Sequence, residues 1–263
     1  MGMRATLVVG GFLAKVPRLT PARVVALLAA MLGAVVALGL AVSAASAATF
    51  SNTDGPITIN DDADPACEVP GTATPYPSSI EVSGLGTSIE DVNVTVSGLS
   101  HTAPDDVGLL LVSPAGESTL LMEDSGGLIP VSDIDLTFDD AASGFLPDDN
   151  DQLKSGTYLP SRGPTTWGCF APESFPKDVT GTDPPAGPYT SSLEVFNGTN
   201  PNGTWKLYVI DDAGGDAGSL TGWSLDISTT LPATKAQCKK GGWKDFGYPD
   251  QSTCISDVNR RNR

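Results

Sequence analysis

Along residues 78–229 apolar side chains recur at every second position in short runs. Val92, Val94 and Val96 alternate with Asn93 and Thr95; Trp205, Leu207 and Val209 alternate with Lys206 and Tyr208; Trp223, Leu225 and Ile227 alternate with Ser224 and Asp226. A period of two turns one set of side chains to one face of a strand, so Trp205 and Trp223 are predicted to point into a core. Strands are predicted over 79–82, 89–99, 107–112, 119–122, 134–138, 192–196, 204–210 and 220–227, separated by turn signals such as Ser113-Pro114-Ala115-Gly116. Ile57-Thr58-Ile59 adds one edge strand ahead of them. No run shows the 3.6-residue periodicity of an amphipathic helix. About eight to ten short strands without helices imply two packed antiparallel sheets, an all-β sandwich or jelly roll. Between 139 and 189 the alternation dissolves into Pro, Asp, Gly and Ser, interrupted by Trp167-Gly168-Cys169-Phe170. A loop of that length needs a function or a tether.

Composition supports the all-β reading: aromatic residues are few, while Gly and Pro together number 50. The amino-terminal region reads differently. Residues 1–47 carry Arg4, Lys15, Arg18 and Arg23 and no acidic group, followed by an uncharged run of 19 residues over 24–42 and the small-x-small sequence Ala45-Ser46-Ala47. This is an export signal with a cleavage site; the alternative is an uncleaved anchor, since the run approaches bilayer-spanning length. Both place the body outside the cytoplasm, because the basic residues stay inside. The expected organisation is a signal over 1–47, a leading segment over 48–77, the sandwich over 78–229, a linker over 230–236 and a basic tail over 237–263.

Charge divides along the same boundaries. Residues 48–234 hold 28 acidic and 4 basic residues, whereas 235–263 hold 3 acidic and 7 basic. A body of that sign repels phosphate backbones and anionic membranes, which excludes nucleic acid as its partner. It attracts cations.

Four cysteines, Cys67, Cys169, Cys238 and Cys254, lie beyond the signal, in a compartment where disulfides persist. Four cysteines allow three connectivities. The terminal segment is too short to bury a core of its own, so a local bridge between Cys238 and Cys254 is expected, leaving Cys67 to pair with Cys169 and tether the long loop. Zinc is the rival reading, but no Cys-x-x-Cys pair exists and His101 stands alone.

The run Val94-Thr95-Val96-Ser97-Gly98-Leu99-Ser100-His101-Thr102, then Asp106-Val107-Gly108-Leu109-Leu110-Leu111-Val112-Ser113-Pro114-Ala115-Gly116, resembles the front half of the P domain, or P/Homo B domain. Asn202-Gly203-Thr204-Trp205, the apolar run 207–211, Gly218-Ser219-Leu220 and Trp223-Ser224-Leu225 resemble its back half. The resemblance covers 78–229. It implies a jelly-roll-like, galactose-binding-like β-sandwich that sits beside a subtilisin-type serine protease and stabilises it, with His101 as a structural residue at a strand end. The tail, Gln237-Cys238-Lys239-Lys240-Gly241-Gly242-Trp243 onward, resembles short C-terminal segments of exported proteins of high-GC bacteria.

A serine protease needs a nucleophile, a base and an orienting carboxylate. The single histidine and the absence of a Gly-x-Ser-x-Gly or Gly-Thr-Ser-Met-Ala run point to a non-catalytic chain. The expected role is an exported accessory or binding module whose partner is another protein, such as a separate subtilisin-like protease, or a surface polymer. A carbohydrate-binding sandwich is the third reading, with Trp167 and Phe170 as its aromatic platform. No cofactor is required. Calcium, reported in some P domains, is the one ion with candidate ligands: Asp211, Asp212 and Asp216 in one turn, and Asp105 and Asp106 before a strand. The basic tail is a candidate contact for an anionic surface.

Overall fold

The computed structural model describes residues 45–61, 70–147, 151–163, 175–176 and 183–263. The signal or anchor run of 24–42, Cys67, Cys169, Trp167 and Phe170 lie outside the described residues, and with them the expected Cys67–Cys169 pairing and the expected aromatic platform. Among the described residues no helix is long and apolar enough to cross a membrane.

Thirteen strands among the described residues form two sheets. They are β1 (Ala45–Ser51), β2 (Ile57–Ile59), β3 (Gly71–Thr72), β4 (Ser78–Val82), β5 (Ile89–His101), β6 (Val107–Val112), β7 (Ser118–Glu123), β8 (Val131–Phe138), β9 (Gly156–Tyr158), β10 (Ser161–Arg162), β11 (Gly203–Asp211), β12 (Gly218–Leu220) and β13 (Gly222–Thr230). One sheet runs β1-β13-β5-β12-β2, with β8 and β9 added beyond β5; the other runs β10-β7-β6-β11-β3, with β4 paired to β11. The fold is an all-β sandwich, and most of its pairs are antiparallel. Two are parallel, β8 with β9 and β10 with β7.

The alternation in β5, β11 and β13 buries one face of each against the other sheet. Val92, Val94, Val96, Leu207, Val209, Leu225 and Ile227 are all buried, as are both tryptophans. Each indole also satisfies its N–H: Trp205 Nε1 donates to Pro201 O at 2.8 Å and Trp223 Nε1 to Ser78 Oγ at 2.9 Å. Phe196 meets Trp205 edge to face at 5.0 Å. The strand β6 has no alternation and is buried on both faces. Its outward-facing Leu110 and Val112 lie under a second apolar cluster that includes Leu120, Tyr208, Ile210 and Phe175, with Tyr76 and Tyr189 packed against it. The long excursion therefore covers a sheet face.

Three expectations change. Residues 193–196 form a short 3-10 helix, Leu193–Phe196, not a strand, because Asp140 Oδ2 accepts both the Ser192 hydroxyl and the Glu194 amide and curls the chain. The excursion contains β9 and β10, too short and polar to show a period. The tail contains a helix, α1 (Gln251–Arg261), where none was predicted. Its start is capped by Asp250, whose Oδ1 accepts the Thr253 amide at 2.8 Å. Only Cys254 and Val258 are fully buried on it, a stripe too narrow to register as amphipathic.

The tail forms a small core of its own around the disulfide Cys238–Cys254, packed by Val258, Trp243, Tyr248 and Ile255. It docks on the loop after β4. Asp245 O accepts Thr87 Oγ1 at 2.6 Å, and Gly247, at φ 69°, lies so close that a Cβ would stand 2.2 Å from Leu85 O. Only glycine fits there. The disulfide closes a 16-residue separation, which in the chain-entropy account is worth about 3 kcal/mol. Reduction is expected to melt the tail before the sandwich, seen as loss of α1 amide protection in hydrogen exchange while protection of β5, β6 and β11 persists.

Candidate functional site

The ends of β5, β6, β7 and β11 meet at one pole of the sandwich. Register sets this directly: Asp211 at the end of β11 pairs with Val107 at the start of β6, and Gly218 of β12 pairs with His101 at the end of β5. Just before β6, Pro104–Asp106 forms a single 3-10 turn. Asp105, Asp106, Glu123, Asp124, Asp211, Asp212 and Asp216 are carried into the same neighbourhood.

His101 stands at the centre of this pole with no exposed side-chain surface. Its Nδ1 lies 2.8 Å from Ala103 O and its Nε2 lies 3.2 Å from Asp211 Oδ2. The Ala103 amide also approaches Nδ1 at 3.2 Å, so Nδ1 either donates to Ala103 O in the charged ring or accepts from Ala103 N in the neutral one, while Nε2 donates to Asp211 in both. Burial works to lower its pKa, but the hydrogen bond and charge of Asp211 outweigh it and the net direction is upward. Gly218 lies flat against the ring; a Cβ there would stand 2.4 Å from His101 Cδ2 and 2.2 Å from Ser100 O. Both ring nitrogens are thus engaged within the protein, Nε2 by Asp211 and Nδ1 by the Ala103 backbone.

The carboxylates around the pair have different duties. Asp211, fully buried, accepts His101 on Oδ2 and the Ala213 amide on Oδ1. Asp216 accepts the Thr102 hydroxyl. Asp105 gives its backbone amide to Gly127 O, and the Asp212 amide donates to Asp106 O. Asp212 is 7% exposed, and among the described residues its carboxylate accepts no hydrogen bond. Glu123 is equally buried; its Oε2 has no hydrogen-bond partner and faces Arg162 Nε at 3.6 Å.

Burial first, and like charges second, push three of these groups far up. Asp212 is raised to about 8, with Asp106, Asp124, Asp211 and Glu123 as its repelling neighbours. Asp106 is raised to about 7 by burial and then by Asp211 and Asp216, against the opposing pull of His101. Glu123 reaches about 7 through burial, although Arg162 pulls it back. Glu123 and Asp124 escaped the sequence reading, and the signal available was an acidic pair closing the apolar run Leu120-Leu121-Met122.

The chemistry of this donor set, buried carboxylates that outnumber their cationic neighbours His101 and Arg162, suits a hard divalent cation. Among the described residues, however, no three acidic, histidine or cysteine side chains already converge as ligands of one ion. Of the five aspartates singled out from sequence, Asp211 and Asp216 serve protein partners, while Asp106 and Asp212 share the pole with Glu123.

Residues 176–227 match the family model described as the proprotein convertase P-domain. No curated protein matches the chain. Two solved structures show a likeness, the Aeromonas sobria serine protease in complex with its chaperone (17% identity, 72% of this chain and 27% of that one, TM-score 0.34) and the same serine protease by itself (16%, 70% and 27%, 0.31). The chain thus corresponds to about a quarter of the length of those proteins. The matched segment holds β11, β12 and β13, the strands that carry Trp205, Asp211 and Trp223. Residues 176–227 are thus similar to the proprotein convertase P-domain, and the match covers about a fifth of the chain.

Proposed function

We propose that this protein is an exported, non-catalytic accessory module that docks onto a subtilisin-type serine protease made as a separate polypeptide. The observation that carries the reading is the P-domain match over 176–227, since such domains accompany those proteases. The locked state of His101 supports a role without chemistry. The docking face is supplied by Leu128, Ile129 and Phe145, exposed by 65%, 37% and 67%. These are the large apolar side chains that stay exposed among the described residues. They stand on the loops after β7 and β8, which are tied together by Gly126 N donating to Pro147 O at 2.8 Å and anchored to the acidic pole by Asp105 N donating to Gly127 O. Exposed apolar side chains on a braced support suit a protein partner.

Calcium is the ion this reading assigns to the acidic pole, where Asp106, Asp212 and Glu123 are the buried carboxylates nearest to serving as ligands; among the described residues they are not set around one point, so they would have to draw together to hold it.

Mixing the purified chain with a subtilisin-type protease from the same organism is expected to lengthen that enzyme's half-life at elevated temperature. Leu128→Asp with Phe145→Asp should abolish the protection and leave the chain's own melting temperature unchanged. A fluorophosphonate probe that labelled a serine of this chain, with labelling lost in His101→Ala, would overturn the reading.

A further inference from the structure

The tail meets the sandwich at the end opposite the acidic pole. On β11, Gly203 pairs with Val82 and Asp211 pairs with Val107, and the tail contacts Leu85 and Thr87, beyond Val82. Nine residues of extended strand separate the two ends, roughly 30 Å at about 3.3 Å per residue. The basic module is therefore far from the seven acids of the pole.

We propose that this stapled module, 234–263, is a docking foot for a polyanion with phosphate diesters along its backbone, of the kind found in polyol-phosphate polymers of cell surfaces. Its cations outnumber its acids, seven to three. Asp257 is consumed by Arg260 and Arg261, at 2.5 and 2.8 Å, and Asp250 by the cap of α1. Lys235, Lys239, Lys240, Lys244 and Arg263 remain exposed and make no salt bridge among the described residues. Lys240 holds φ at 55°, a conformation that favours glycine or asparagine, and so presents a long cationic side chain from a sharp turn. The disulfide fixes Lys239 and Lys240 relative to α1.

Distance decides whether the acidic pole cancels this charge. At physiological ionic strength the screening length is about 8 Å, so roughly 30 Å is nearly four such lengths and the acidic pole is nearly invisible to the foot. The occupant is extended, because the cations are spread along the module and do not converge on one point. A bilayer is disfavoured, because an interfacial helix needs its apolar face outward, whereas Cys254, Val258 and Ile255 pack into the module's own core with Trp243 and Tyr248. Trp243 packs on the same core and carries the Lys244 ammonium over its ring at 5.4 Å, a face thereby already covered against stacking by a nucleic acid base.

The test uses the full mature chain, with long-chain inorganic polyphosphate as the probe, titrated calorimetrically at 50 and 200 mM salt. Five released counterions should weaken binding about a hundredfold across that range. Lys239→Gln, Lys240→Gln and Lys244→Gln together should weaken binding at low salt at least tenfold and cut the salt effect to about tenfold. Lys154→Gln with Lys206→Gln, on the sandwich, should change neither. An intact disulfide and unchanged melting temperature in each variant show that the fold is kept. Absence of binding at 50 mM salt, or binding indifferent to the tail lysines, overturns the proposal. Tighter binding of anionic phosphatidylglycerol vesicles, or of single-stranded DNA at equal charge, also overturns it in favour of a membrane or nucleic acid partner.

Discussion

Between pH 5 and pH 8.5, in chelator, the melting temperature of the protein is expected to fall by about 10 °C or more. The cause is the acidic pole. Asp106, Glu123 and Asp212 keep their protons to about pH 7, 7 and 8 in the folded chain, whereas in the unfolded chain they ionise near pH 4. Over the interval between those values the folded state binds more protons than the unfolded state, so stability falls as pH rises. His101 acts in the same direction, because its raised pKa means that the stability of its pair with Asp211 is complete below the unfolded value and is lost as pH climbs through the folded one. Asp257, lowered by Tyr248, Arg260 and Arg261 although burial opposes them, loses its contribution only below this window. A tenfold difference in proton affinity between folded and unfolded chain corresponds to about 1.4 kcal/mol. Asp106, the least buried of the three, is screened by solvent and contributes least. Glu123 and Asp212 still cost the pole several kcal/mol, and at about 2–4 °C per kcal/mol for a chain of this size the fall is large. Millimolar calcium should restore the melting temperature at pH 8.5 by mass action, and sodium chloride at equal ionic strength should not. Asp212→Asn should flatten the pH profile and remove most of the calcium effect. A profile flat from pH 5 to 8.5, with no response to calcium, would mean that water reaches these carboxylates well enough to keep them charged.

Asp211→Ala is expected to cost about 3–5 kcal/mol in urea unfolding at pH 6, the range for stripping one partner from a buried ion pair. It leaves the His101 ring with no counter-charge in a site without solvent, and it frees the Ala213 amide. His101→Ala should be comparably severe for the opposite reason, because it removes the one cation seated among Asp106 and Asp211. Replacing both, His101→Leu with Asp211→Leu, should cost clearly less than the two single losses combined, since no uncompensated charge remains. A cost below about 1 kcal/mol for Asp211→Ala would show that the pair is dispensable and that the pole is held by its backbone bonds.

The strands that bury one face were legible because their signal is local. In β5, β11 and β13 every second residue is apolar, and a strand cannot present that pattern to a core in any other way. The central strand β6 reads as an uninterrupted apolar run, which signals burial on both sides but not what lies above it. Phe175 and Tyr189, far along the chain in a segment with no period, supply that cover. The short helix at Leu193–Phe196 reads as a strand because its apolar residues also fit one, and the hydrogen bonds that curl it come from Asp140, 54 residues away. In the tail, α1 stands on a capping aspartate and two buried side chains, too little for periodicity to detect.

The sequence by itself determined the fold class, the local disulfide of the tail and the opposite charges of body and tail, because each depends on residue type and short spacing. It also marked motifs resembling those of the P-domain, whose family model matches residues 176–227. Only the tertiary structure decided which acids share a pole: Glu123 and Asp212 are 89 positions apart in number, and β6 lying between β7 and β11 brings them together. It alone decided that Asp211 answers His101 across 110 residues. The separation of the basic module from the acidic pole is likewise a product of register, since the direction of β11 puts Asp211 at one end and the Val82 pairing at the other. Electrostatic free energy depends on distance and solvent access, and both are properties of the packed sheets.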